Sequence, residues 1–163
     1  MASNIPGVST IGIEFGYALE TAAGTKPAAF KRLDRINSIG GISLETEQID
    51  ASALEDYITR YIAGRQDTGG SWPVTINPTD ATIKQWKDLI QEYTNRADKD
   101  LAMWFVVWSP YLTDSFYIVA EPPKELPMSE MAQNSLQTIE VGLSINEYKG
   151  MDTAIRPTEQ VSP

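Results

Sequence analysis

The chain has 163 residues and a formal net charge of −9, from 13 basic and 22 acidic side chains. Apolar residues make up 42%, enough to bury a core, and the length suits one domain. Histidine and cysteine are both absent, which excludes disulfides, thiolate nucleophiles, Cys/His zinc sites, imidazole acid–base catalysis and Ser-His-Asp triads. The acidic balance argues against gripping a nucleic-acid backbone, which calls for clustered Lys and Arg.

Residues 1–10 are small and polar and read as an N-terminal arm. They carry no basic n-region and no apolar h-region, so no secretory signal is expected. The longest apolar run, Leu101 to Trp108, is too short to span a bilayer, which takes about 20 residues. These features predict a soluble chain made in the cytoplasm. From Ile11 to Leu19 the pattern alternates, with Ile11, Ile13, Phe15, Tyr17 and Leu19 on one face and Gly12, Glu14, Gly16 and Ala18 on the other. Period two predicts a strand, and the small second face predicts close approach of another backbone.

A second strand is expected over Phe30 to Ile36, with Lys31, Arg32 and Arg35 as a basic cluster that could pair with acids of a neighbouring subunit. Gly40-Gly41 is a break, and Ile42 to Asp50 reads as an acidic strand. Residues 50–71 are expected as a long loop. Inside it, Ser52-Ala53-Leu54-Glu55 fits a capping box, and Leu54, Tyr57, Ile58, Tyr61 and Ile62 follow helical spacing, so a helical turn or two is one reading. Tyr57, Arg60, Tyr61, Arg65 and Asp67 form the candidate inter-subunit loop, since Tyr and Arg are enriched at interfaces.

Trp72 to Asn77 is a short strand. Asn77-Pro78-Thr79-Asp80 then opens a helix over about residues 79–96, with Ile83, Trp86, Leu89, Ile90 and Tyr93 in one apolar stripe. Leu101 to Ser109 and Phe116 to Glu121 read as a hairpin, and prolines 122, 123 and 127 open a loop. Ser135 to Asn146 is the clearest alternating strand. Ile139, Val141, Leu143 and Ile145 are predicted inward and Thr138, Glu140, Gly142, Ser144 and Asn146 outward. Residues 151–163 read as a polar C-terminal tail. The expected class is α+β, mainly β: a two-sheet sandwich or barrel over residues 11–150 with one flanking helix, in a single domain.

Phosphate-binding glycine loops and an EF-hand pattern are missing. Glu45 and Glu47 stand two apart on one strand, within about 7 Å of each other, a separation that overlaps glycosidase pairs. A solvated strand face is the stronger reading of that pair. Trp104, Phe105 and Trp108 could form a stacking platform, but a continuous apolar run without interleaved cations reads as core. No catalytic, cofactor or metal residue emerges, and the chain is expected not to be an enzyme.

The order of elements resembles the major tail tube proteins of long-tailed (siphovirus-type) bacteriophages. Four stretches carry the likeness: the acidic strand Gly41-Ile42-Ser43-Leu44-Glu45-Thr46-Glu47-Gln48-Ile49-Asp50, the long segment ending Arg65-Gln66-Asp67-Thr68-Gly69-Gly70, the helix opening at Thr79-Asp80-Ala81-Thr82, and the strand Ile139-Glu140-Val141-Gly142-Leu143-Ser144-Ile145-Asn146. The resemblance spans about residues 10–150. It implies six-membered rings stacked helically into a hollow virion tail tube, assembled in the host cytoplasm, with an extended hairpin where residues 52–62 also allow a helix. The hairpin and both terminal arms would bridge subunits. Implied partners are further copies of the chain, a tape measure protein, a tail tip or initiator and a tail terminator. DNA would pass through unbound during ejection, and no membrane is involved. Glu45, Glu47 and Glu140 are the candidate lumen-facing acids, repelling duplex DNA over about 8 Å at physiological salt. A tube subunit of a contractile injection or secretion system is the alternative. A carbohydrate-binding sandwich on Trp104, Trp108 or Tyr111 is another, and it requires those rings to be exposed.

Overall fold

A computed structural model describes residues 7, 9–54, 58, 61–67 and 70–160, with the side chains of 45–47 and 61–67 outside that description. The described residues form nine strands and one helix. In chain order they are β1 (Glu14–Leu19), β2 (Lys31–Leu33), β3 (Ile36–Ile39), β4 (Glu45–Asp50), β5 (Tyr61–Asp67), β6 (Ser71–Ile76), α1 (Asp80–Thr94), β7 (Met103–Trp108), β8 (Asp114–Glu121) and β9 (Ile139–Thr153). Seven strands make one curled antiparallel sheet in the order β2-β1-β7-β8-β9-β6-β3, and β4 and β5 make a separate two-stranded sheet. The mainly-β class with one flanking helix is as the sequence predicts.

One face of the large sheet, the helix face, holds the main core. Phe15 and Tyr17 of β1, Phe105 of β7, Ile118 of β8, Val141 and Leu143 of β9 and Trp72 and Val74 of β6 meet Trp86 and Leu89 of α1 there. Phe15 stacks on Phe105 at 5.5 Å between ring centroids and meets Trp72 edge-on at 5.5 Å. The helix starts where the sequence signals it. The Thr82 backbone N–H donates to Thr79 Oγ1 at 3.2 Å, and the Thr79 N–H donates to Thr82 Oγ1 at 2.7 Å, a reciprocal cap. Gln85 ties α1 to the sheet, accepting from the Asp34 N–H at 3.0 Å and donating to Asp34 Oδ2 at 2.9 Å. Burial, with Glu92 and Asp88 of α1 nearby, holds the Tyr17 phenol well above its ordinary pKa.

The opposite, outer face is covered over only half the sheet. Ala18, Trp104, Val106, Tyr117 and Val119 pack there with Phe30 and Ile155. This second core explains why β7 reads as continuously apolar: its alternate residues enter cores on both faces. Glu20 closes that layer, its buried carboxylate accepting from Trp104 Nε1 at 2.9 Å and the Ala102 N–H at 2.7 Å.

Four expectations need correction. The segment Phe30 to Ile36 is two strands, because Arg35 takes a left-handed conformation (φ 57°) that bends the chain between β2 and β3. Residues 50–71 contain β5, paired antiparallel with β4 through Asp50↔Tyr61, Ile49↔Ile62 and Glu45↔Asp67. A helix through Tyr61 and Ile62 is therefore replaced by the extended hairpin that the family resemblance implied. Strand β9 continues to Thr153, beyond the expected start of the tail.

Lys31 and Arg32 find acids in their own chain, which is the fourth difference. Lys31 pairs with Glu92 at 3.3 Å, and Arg32 pairs with Glu14 at 3.1 Å and Asp34 at 2.9 Å. Residues 156–160 fold back along the free edge of β2. The Arg32 N–H donates to the Thr158 carbonyl, and the Thr158 N–H to the Phe30 carbonyl, both at 2.8 Å. Arg156 meets Glu14 at 2.8 Å, and Pro157 lies so close over Gly16 that a Cβ there would sit 2.8 Å from it. The small face of β1 is thus matched to this strap.

Candidate functional site

Among the described residues, no layer covers the outer face of β9, β6 and β3. Strand register sets its surface: Ser71 lies opposite Ser144, Pro73 opposite Gly142 and Thr75 opposite Glu140, with Ser38 of β3 beside Thr75. The intervening pairs, Trp72 with Leu143 and Val74 with Val141, point into the main core. Period-two alternation therefore divides small polar from large apolar side chains cleanly between the two faces. Glu140, Gly142, Ser144 and Asn146 are all exposed, and a Cβ at Gly142 would meet nothing within 4 Å. At the boundary with β8, Asn146 Nδ2 donates to Glu121 Oε1 at 3.3 Å. The Glu140 N–H donates to Ser129 Oγ at 2.9 Å, which pins the loop after β8 to the start of β9. Glu140 and Glu121 put negative charge at one end of this face, and farther along β9 Lys149 pairs with Glu147 at 2.8 Å and lies 5.5 Å from the Trp104 ring.

Glu140 thus lies on an open sheet face. Glu45 and Glu47 lie elsewhere, on β4 of the hairpin, so the fold does not bring the three candidate acids onto one sheet. The β4–β5 register shifts between Thr46 and Gln48, so Glu47 falls at an irregularity rather than in simple alternation with Glu45. Tyr61, Arg65 and Asp67 belong to β5. Tyr57 and Arg60 lie outside the described residues, as does most of the N-terminal arm, residues 1–6 and 8.

The hairpin exposes large aliphatic side chains. Leu54 is 110% exposed and Ile58 77%, and Leu44 and Ile49 are also exposed. At its turn, the Asp50 carboxylate accepts from the Ser52 N–H at 2.9 Å, a bond that holds its pKa below the ordinary carboxylate range. A groove of about 590 Å³ opens on the helix face beside Gly40 and Gly41. Sequence reasoning missed this groove, because its walls come from β1, β3, β6, β7, β8 and β9 together. The Gly40-Gly41 break was the one local signal.

The aromatic platform does not assemble. Trp104 is buried and bonded to Glu20, and the Arg156 guanidinium covers the Trp108 ring at 4.7 Å, which leaves Tyr111 exposed alone. The carbohydrate reading required exposed rings, and two of its three are covered. Among the described residues no helix is long and apolar enough to cross a membrane.

No protein-family model and no curated protein matches the sequence. Among solved structures, a chain in the cryo-EM structure of the anti-feeding prophage (AFP) baseplate, 6-fold symmetrised, is similar at a TM-score of 0.49 and 14% identity, covering 94% of this chain and 97% of that one. A likeness at that level leaves the functional reading to the chain's own geometry.

Proposed function

We propose that the chain is a non-enzymatic structural subunit of a phage-type tail tube, which builds hexameric rings that stack into a hollow conduit for DNA. The observation that carries this reading is the uncovered outer face of β9, β6 and β3. Large curled sheets with one polar face and an open edge at β3 leave backbone groups that a neighbouring copy can satisfy. A surface of Ser, Thr, Gly and Asn with isolated acids, whose cation Lys149 is paired to Glu147, offers no cluster of cations to a passing polyanion. On this reading Glu140 faces the bore, and six copies at −9 each make the ring strongly anionic.

The projecting β4–β5 hairpin supplies inter-subunit contact through Leu54, Ile58 and its acidic and Arg residues. Contacts of that kind are heterologous, and they close into rings or run on as filaments. A tape measure protein, a tip initiator and a terminator would complete the tail. A contractile system remains the second version of the same architecture, and a sheath gene beside the coding sequence would favour it.

Negative-stain electron microscopy of the purified protein at high concentration tests the reading. Hollow tubes or six-fold rings are expected. A protein that stays monomeric at every concentration, and also when seeded with tail tips, contradicts it.

A further inference from the structure

The groove beside Gly40-Gly41 is the part of the half-barrel interior that α1, packed on β1 and β2, leaves open. Its walls are apolar, built from Ile36, Ile39 and Ile42 on one side and Trp72, Phe116 and Tyr148 on the other. None of the lining residues is charged, in a chain where 21% of residues are. A volume of about 590 Å³ falls within the range of sites that take up apolar groups, roughly 300–1,000 Å³. An occupant must therefore insert uncharged, apolar side chains.

The chain carries such a group. The hairpin turn runs Ala51-Ser52-Ala53-Leu54 without a charge, and Leu54 and Ile58 stand exposed at 110% and 77%. The hairpin begins at Glu45, three residues beyond Ile42 in the groove wall. In its own chain Leu54 remains fully exposed, so the hairpin does not fill the groove from which it springs. A plug and a socket that lie close in sequence on one chain and do not meet within it suit a head-to-tail contact that repeats from copy to copy.

We propose that the groove receives the hairpin turn of a second copy, with Leu54 and Ile58 as the inserted side chains. The inference rests on the chain being a self-assembling subunit, and it names the surface that receives the hairpin. The exposed carboxylate of Asp50, at the end of β4, then stays at the rim, where water solvates it.

The absence of native cysteine allows a direct test. The double variant Ile39→Cys/Leu54→Cys places one thiol in the groove wall, at a partly buried position on the helix face, and one at the exposed turn. Oxidised assemblies of it should run as a ladder of linked copies on a non-reducing gel, while each single variant gives no species beyond a dimer. Leu54→Asp should abolish assembly and keep the circular dichroism of the parent. Multimers that form without the ladder, together with full assembly of Leu54→Asp, overturn the inference and leave the subunit reading intact. In that case the groove takes a different occupant, such as a small apolar ligand or an unrelated partner. Absence of any multimer overturns the inference together with the reading on which it rests.

Discussion

The two halves of the large sheet obey different rules. In β1, β7 and β8 both faces are buried: Phe105 and Ile118 enter the helix-side core, and Trp104, Val106, Tyr117 and Val119 enter the outer one under Phe30 and the C-terminal strap. In β9, β6 and β3 one face alone is buried, and the other presents Ser, Thr, Gly and Glu to solvent. The covered half keeps the subunit folded. The outer side chains of the open half make only a few polar contacts within the subunit, such as Asn146 with Glu121, so most of its composition is free to serve something outside it.

The sharpest way to break the covered half is Phe105→Ala, which removes a fully buried ring from the centre of the aromatic cluster. It should cost about 3–5 kcal/mol in urea unfolding. The next test compares two glycines, one in each half. Gly16→Val drives a side chain into the Lys31 carbonyl and Pro157, both 2.8 Å from a Cβ, and should cost about 1–3 kcal/mol, because neither neighbour can step aside. Gly142→Val meets open space and should change stability by less than about 0.5 kcal/mol, while it roughens the face proposed for the bore. Equal costs for the two would erase the distinction between the halves.

Thr79→Ala removes the helix cap and should cost about 1 kcal/mol, read as a lower thermal midpoint with an unchanged spectrum. The smallest effect concerns Asp152, whose carboxylate is held below its ordinary pKa of 3.8 by the Thr153 N–H and by Lys26. A depressed folded-state pKa gives stability that is present above pH 3.8 and lost as pH falls through the lower folded value. Wild type and Asp152→Asn should therefore differ slightly at neutral pH and converge in acid, and this pair should screen out in high salt.

Local periodicity made the covered and open halves partly legible in the sequence. The alternation of β9 separates Val141, Leu143 and Ile145 from Glu140, Ser144 and Asn146, as the fold bears out. The helix stripe places Trp86 and Leu89 in the core, with Thr79 at the cap. What stayed hidden is non-local. Strand β5 exists through its pairing with β4, whereas Ser52 to Glu55 reads locally as a capping box. Lys31 meets Glu92, and Arg32 meets Glu14 and Glu159, across separations that no window of sequence spans. The strap at residues 156–160 looks like a polar tail until the edge of β2 is present to receive it. Of the candidate acids, Glu140 could be placed from its strand alone. The location of Glu45 and Glu47 depended on which strands share a sheet.

The central claim is that the open face of β9, β6 and β3 lines the interior of a multimer. A cryo-EM reconstruction of the assembled protein tests it most directly, through the radius at which Glu140, Ser144 and Thr75 lie. The account predicts a hollow ring with these residues on the inner wall and α1 away from the bore. A reconstruction with α1 lining the channel and Glu140 on the outside would contradict it.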